Sequence, residues 1–326
     1  MGKQGYYQLF YGCKNLNKIE MLATDVSATG CLNSWVNGVA SVGIFIKSST
    51  ATWDITGVDG IPTGWIIKNE DGSYPQPDYL CFTSTGDSTV GMTQIGTPNT
   101  TANKVIQYKI NNGQWQTWDL SAVTLADGDK MYLKSDDEIP FSEIGESEIE
   151  ESLVFKYFVM TGSIAASGNI MSLLNFAETI SAYGFMLLFY NCTALTTAPE
   201  LPATTLNEGC YNGMFTNCSA LVQAPTLPAT TLADGCYANM FESCTSLTTV
   251  SELPAKVLVT RCYYYMFSEC TKLNYIKALF TDISAKDCLT TWLFHVSPTG
   301  TFIKSKDATW SNERAGIPSG WTVETV

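Results

Sequence analysis

The feature that most constrains this chain is a sequence repeat of 26 residues between positions 192 and 294. A leucine follows the first cysteine of each unit by three positions, and an aromatic-x-x-Met-Phe segment closes the first three units. Eight of the 11 cysteines belong to the repeat, in two series: Cys192, Cys218, Cys244 and Cys270, and Cys210, Cys236, Cys262 and Cys288. A period of this size predicts a stacked array, in which each unit completes the apolar core of its neighbour.

Each unit divides into two halves with different patterns. The first half, Cys-x-x-Leu-x-x-x-Pro-x-Leu-Pro-Ala at residue 192, predicts a short strand that ends where prolines remove backbone donors. The second half carries Tyr211 and Phe215 four positions apart, a spacing that places both rings on one face of a helical turn. We therefore expect short parallel strands joined by helical return turns.

The N-terminal part of the chain copies the end of the array at an offset of about 257 residues. Residues 6–66 repeat the last turn and the terminal piece, with Cys31 and Trp35 on Cys288 and Trp292. A start in mid-repeat predicts upstream repeats in a longer parent chain, or another element that covers the open edge. The terminal piece, rich in β-branched and aromatic residues around a Gly-Pro turn, predicts a β-type cap.

The middle of the chain follows another pattern. Residues 79–135 hold short alternating segments, and Asn112-Gly113 is a strong hairpin signal, which predicts a small all-β, sandwich-like domain. Residues 136–151 carry eight carboxylates and no basic residue, which favours a solvated linker over a cation site. Residues 152–161 and 170–174 are expected as strands. The expected boundaries are 1–68, 69–135, 136–152, 153–295 and 296–326.

Composition argues against several classes of partner. With 18 basic and 31 acidic side chains and a net charge of -13, the chain lacks the clustered cations that nucleic acid requires. No apolar run approaches the roughly 20 residues of a membrane-spanning helix. The N-terminus has no apolar stretch from which a secretory signal could be read.

The units resemble the leucine-rich repeats of BspA-like surface proteins, which pair Cys-x-x-Leu with a later aromatic or Ala-Phe followed by x-x-Cys. The resemblance covers residues 6–38 and 178–295, and the Trp-containing tails resemble the ends of such chains. The Leu-Pro-Ala insertion departs from the pattern, as does a Cys-Tyr pair where Gly-x-x-Ala is more usual. The resemblance implies an α/β solenoid and a binding scaffold or adhesin of bacterial, often Bacteroidales, surfaces. It also implies an extracellular protein or glycan ligand and no catalysis.

The repeated cysteines have three possible roles. Within a unit they are not spaced as the close Cys-x2-Cys pairs of zinc sites. Stacked parallel strands lie about 4.8 Å apart, with side chains pointing the same way, which disfavours disulfide bridges between rungs. The pattern favours reduced, buried structural thiols, with disulfides and a metal site as the alternatives.

Motifs for catalysis are sparse. His295 is the single histidine, and neither a phosphate-binding Gly-rich loop nor a Gly-x-Ser-x-Gly elbow occurs. The sequence therefore predicts neither an enzyme nor a cofactor.

Candidate binding residues follow from the inward direction of the repeated leucines. Residues just after them should face out and line an extended surface: Thr196, Thr197, Glu200, Gln223, Thr226, Thr249, Glu252, Tyr275 and Lys277. A second hypothesis is carbohydrate binding by the all-β domain, because Trp115 and Trp118 have no copy elsewhere and either stack on sugar rings or fill the hairpin core. A third is a structural part of a larger surface or phage assembly.

Overall fold

The computed structural model describes residues 5–48, 50, 51, 53, 55–63, 65–70, 78–96, 104–145 and 152–326. The chain divides into two compact units, Met1–Pro77 and Asp78–Val326. Each unit has its own hydrophobic core.

The first unit combines one repeat with a parallel sheet. Strands β1 (Lys18–Met21), β2 (Ile44–Lys47) and β3 (Ile66–Asn69) pair in that order. The indole of Trp35, 1% exposed, fills the space between the repeat and the sheet and donates to the Gly60 carbonyl at 2.7 Å. This hydrogen bond satisfies the one polar atom of a large buried ring.

The second unit begins with two sheets that pack face to face. The six-stranded sheet has the order β13-β12-β4-β9-β6-β7, and the four-stranded sheet has the order β10-β11-β5-β8. Phe82 of β4 and Phe158 of β11 meet between them, with ring centroids 5.0 Å apart. The strands are β4 (Leu80–Ser84), β5 (Ser88–Ile95), β6 (Gln107–Ile110), β7 (Gln116–Thr117), β8 (Val123–Leu125), β9 (Lys130–Lys134), β10 (Ser142–Gly145), β11 (Ser152–Thr161), β12 (Ile164–Ser167) and β13 (Leu195–Thr197).

Two local expectations in this region have clear outcomes. The hairpin at Asn112-Gly113 is confirmed, because β6 and β7 pair antiparallel around it. The expected strand at residues 170–174 is wrong: Ile170–Leu174 is a 3-10 turn. The side chain of Asn169 caps its start by accepting from the Met171 N–H, and Asn175 ends it in the left-handed conformation. Such local hydrogen bonds compete with strand pairing.

The return segments of the array are ribbons of tight turns. In residues 211–217, each odd-numbered N–H donates to the carbonyl 25 residues later, at 2.8–3.1 Å, and each even-numbered N–H donates to the carbonyl three residues earlier. The backbone turns left-handed every fourth residue, at Gly209, Gly213 and Asn217, with φ between 55° and 62°. The same arrangement recurs in the following units.

The predicted α/β solenoid, a leucine-rich repeat array with helical return turns, is therefore wrong. Within the described residues the helical element is the 3-10 turn, and no sheet runs along the whole array. Successive extended segments touch mainly through isolated bridges, such as Gln223 to Thr249. The ribbon forms because alternate N–H groups bond to the next unit, whereas a helix would use all of them internally.

Both ends of the array are covered by sheets. At its start, Phe141 and Phe158 donate backbone N–H groups to the carbonyls of Gly184 and Leu188, each at 2.9 Å. At its end, β14 (Tyr275–Ala278), β15 (Gly300–Lys304) and β16 (Trp321–Thr325) form a parallel sheet. Residues 142–145 belong to β10 rather than to the expected acidic linker, and residues 146–151 lie outside the described residues.

Columns of identical side chains form the core of the array. Phe215, Phe241 and Phe267 stack with centroids 5.5 and 5.6 Å apart and planes within 5° of parallel. A second column of Tyr211, Tyr237 and Tyr263 runs beside it. The repeated positions therefore lie above one another in register, as the period predicts.

Candidate functional site

The second unit presents a continuous outer face on the six-stranded sheet. In β4 and β9, Phe82 and Met131 point into the core, and their strand neighbours therefore point outward. Strand β12 pairs with β4 on one side and, in parallel, with β13 of the array on the other. Because this pairing aligns Ala165 with Thr197, the outer face of the sheet continues onto the strand side of the array.

The strand side carries a row of side chains at one position of successive units. We call Thr197, Gln223, Thr249 and Tyr275 the strand row. Parallel bridges join Gln223 to Thr249 and Thr249 to Tyr275, and β14 then pairs Tyr275 with Thr301. The first three side chains are exposed and Tyr275 is half-buried. The row offers hydroxyl and amide groups at the spacing of neighbouring strands, about 4.8 Å.

The predicted binding residues in and around the row differ in whether their polar groups already have partners within the protein. Thr196 is half-buried, and its hydroxyl donates to the Ile164 carbonyl at 3.0 Å. The hydroxyl of the exposed Thr197 donates to the Ala166 carbonyl at 2.8 Å. Lys277 and Glu252 form an ion pair at 2.6 Å. Some of the predicted binding groups therefore already have intramolecular partners.

A shallow groove of about 300 Å³ lies beside the row. Four prolines line it with Glu200 and Thr226: Pro199, Pro202, Pro225 and Pro228. Partial burial and the nearby carboxylate of Asp78 raise the pKa of Glu200. The groove is therefore a rigid, largely apolar surface with one carboxylate at its edge.

The two unpaired tryptophans of the all-β region have different roles. Trp118 is 4% exposed and its indole donates to the Ser121 carbonyl at 2.9 Å, so it fills the core. Trp115 is half-buried, and the Tyr79 ring meets it edge-on at a centroid distance of 4.9 Å. Of these two tryptophans, only Trp115 therefore lies at the surface.

The repeated cysteines are buried free thiols. The Sγ atoms of Cys218, Cys244 and Cys270 donate to carbonyls of the preceding ribbon at 3.0–3.1 Å. Burial raises their pKa well above the ordinary value for a thiol. A protonated, enclosed thiol is a poor nucleophile, and these side chains pack in the core as small apolar groups.

Groups suited to metal binding or catalysis are sparse in the described part of the chain. It contains no cluster of three or more His, Cys, Asp or Glu side chains able to hold a metal ion. The Nδ1 atom of His295 lies 2.8 Å from Glu269 Oε1, in a pair that joins two adjacent units at the surface.

Sequence reasoning missed several surface residues near Trp115. Lys109, Tyr132 and Lys134 lie on the outer face of β6 and β9, and Phe176 follows the 3-10 turn. The alternation within β6 and β9 was a usable signal, because every second residue of a strand faces out. Nothing in the sequence placed Phe176 beside them.

No family model, curated protein or solved structure matches this chain. In the described residues, no helix has the length and apolar character needed to cross a bilayer.

Proposed function

We propose that the protein is a non-catalytic binding scaffold of the cell surface or extracellular space, which recognises a protein or glycan through the strand row. The observation that carries the proposal is the alignment of Gln223, Thr249 and Tyr275 by consecutive parallel bridges. This alignment repeats polar groups at a fixed interval along one face, which suits an extended ligand. The extracellular location rests only on the sequence resemblance of the repeats to those of BspA-like surface proteins, and not on a shared fold.

The rigidity of the row supports the same function. Its residues stand on units whose cores are fully buried, as shown by Phe215 and Phe241 at 0% exposure. Ribbon hydrogen bonds lock each unit to the next. A ligand therefore meets a preorganised surface, and binding loses little conformational entropy of the protein.

The test uses the full chain on a printed glycan array and on immobilised mucin glycoprotein. Thr249→Arg places a bulky cation in the middle of the row, and Thr231→Arg makes the same change at an exposed site outside it. We expect binding to fall at least tenfold for Thr249→Arg and to persist for Thr231→Arg. Absence of binding to every probe, or equal loss in both variants, would overturn the proposal.

A further inference from the structure

An aromatic cluster with two lysines lies on the outer face of the six-stranded sheet, on strands β6 and β9 and the segments beside them. We call it the aromatic-lysine cluster, and its members are Tyr79, Lys109, Trp115, Tyr132, Lys134 and Phe176. Tyr79 links two of its other rings, because its ring centroid lies 4.9 Å from that of Trp115 and 5.9 Å from that of Phe176. Aromatic side chains at a surface supply contact area with little loss of side-chain entropy.

The register between strands β6 and β9 brings side chains of the cluster together. Lys109 of β6 pairs directly with Tyr132 of β9, so both side chains rise from the same face of the sheet. The Lys109 ammonium lies 5.1 Å from the Trp115 ring centroid and 5.2 Å from that of Tyr132. The Lys134 ammonium lies 5.4 Å from Trp115. These are cation-π distances, so the rings hold the cations in place.

The local backbone holds Phe176 at the surface. Asn175 and Phe176 are both left-handed, with φ of 50° and 55°, which is rare for a bulky residue. The Phe176 N–H donates to the Met171 carbonyl at 2.8 Å, and the ring stays 37% exposed. A bulky residue in the left-handed conformation whose apolar ring stays partly exposed points to a role in binding.

The charge of the cluster is opposite to that of the chain. The net charge is -13, yet two ammonium groups converge on Trp115. Lys134 is paired with Asp136 at 2.9 Å, whereas Lys109 makes no ion pair in the described part of the chain. The Lys109 charge is therefore available to an anionic ligand, and its position between two rings fixes where the anion would sit.

We propose that the aromatic-lysine cluster binds an acidic saccharide, with the sugar carboxylate at Lys109 and the sugar ring against Trp115 and Phe176. Charge complementarity selects an anion, and the partly exposed rings of Trp115 and Phe176 supply the flat apolar contact that the C–H face of a sugar requires. An acidic peptide would satisfy the charge but would leave these ring surfaces without a matching partner. The inference does not depend on the strand row, because none of the row residues belongs to the cluster.

The experiment measures binding to the full chain by calorimetry and tryptophan fluorescence. The probes are a galacturonic acid hexasaccharide, a neutral galactose hexasaccharide of the same length, and a hexaglutamate peptide. Lys109→Met keeps the aliphatic stem and removes the charge, and Phe176→Ala removes the exposed ring. The matched control is Lys306→Met, which removes an exposed lysine from a remote segment. Urea unfolding of each variant verifies that it folds.

We expect the acidic saccharide to bind with an affinity that falls as salt is added. Lys109→Met should weaken that binding about tenfold, Phe176→Ala should weaken it about threefold or more, and Lys306→Met should leave it unchanged. Equal binding of the neutral saccharide would remove the role of charge and overturn the proposal. Equal or tighter binding of hexaglutamate would assign the cluster to acidic peptides instead, and absence of binding to the acidic saccharide would also overturn the proposal.

Discussion

Replacing Gly235 by alanine distinguishes a ribbon of turns from a helix by the sign of the change in stability. Gly235 lies in a return segment with φ of +59°, and its N–H donates to the Thr260 carbonyl of the next unit at 2.9 Å. A Cβ atom added there would meet nothing within 4 Å. The substitution therefore changes the backbone preference of this residue without introducing a steric clash.

A helical return segment and a ribbon of turns predict opposite changes in the free energy of unfolding, of comparable size. In a helix, alanine is more favourable than glycine by about 1 kcal/mol. In the left-handed conformation, a Cβ costs about 1 to 2 kcal/mol. We therefore expect Gly235→Ala to lower the free energy of unfolding by about 1 kcal/mol. Gly213→Ala should lower it further, because its backbone is also left-handed and its Cβ would lie 2.6 Å from Leu187 Cδ2.

The assay is urea unfolding of the full chain, followed by far-UV circular dichroism. Gly235→Asn is the matched control, because asparagine tolerates the left-handed conformation better than alanine does. It should therefore lower the free energy of unfolding by less than Gly235→Ala does. If Gly235→Ala unfolded at a higher urea concentration than the wild type, with an unchanged slope, the ribbon geometry would be refuted.

Three further measurements test the core of the second unit. Tyr237→Phe should raise the free energy of unfolding by about 1 kcal/mol in urea denaturation, because the buried Tyr237 hydroxyl has no hydrogen-bond partner among the described residues. Burial raises the pKa of Asp137, but the hydrogen bond and charge of the fully buried Lys104 outweigh it and lower that pKa overall. The pair therefore stabilises the fold above about pH 4 and loses that effect as pH falls through the lowered pKa, so Asp137→Asn should cost about 2 kcal/mol at pH 7 and less at pH 2. Burial raises the pKa of Cys210 to about 12, so a thiol reagent should modify the exposed Cys13 in the native protein and the repeat thiols only after unfolding.

The sequence was informative where side chains recur and uninformative where the backbone is unusual. The 26-residue period predicted that Phe215 would stack on Phe241, and their rings do so within 5° of parallel. The same period does not say how the chain returns between strands. The four-residue spacing of Tyr211 and Phe215 fits a helix, but the left-handed ribbon also repeats every four residues. Side-chain spacing alone could not separate them.

A composition signal for the ribbon was present. Gly209, Gly213 and Asn217 stand four apart at the left-handed positions, and glycine and asparagine are the residues that adopt this conformation most easily. Two glycines in one short helix would cost about 2 kcal/mol, which argues against a helix. The position of Phe176 had no comparable signal, because its exposure depends on the end of a 3-10 turn fixed by tertiary contacts.

The ribbon also bears on the kind of ligand that we propose for the strand row. Helices pack 8–10 Å apart while parallel strands lie about 4.8 Å apart, so an array with helices on one side must curve around its strands. Here the ribbon side repeats at nearly the strand interval, as the 5.3–5.6 Å spacing of the Phe189 to Phe267 rings shows. We therefore expect the strand side to curve less than it would in an array with helices on one side. A weakly curved row of repeated polar groups suits an extended ligand, because each unit offers similar contacts to successive segments of that ligand.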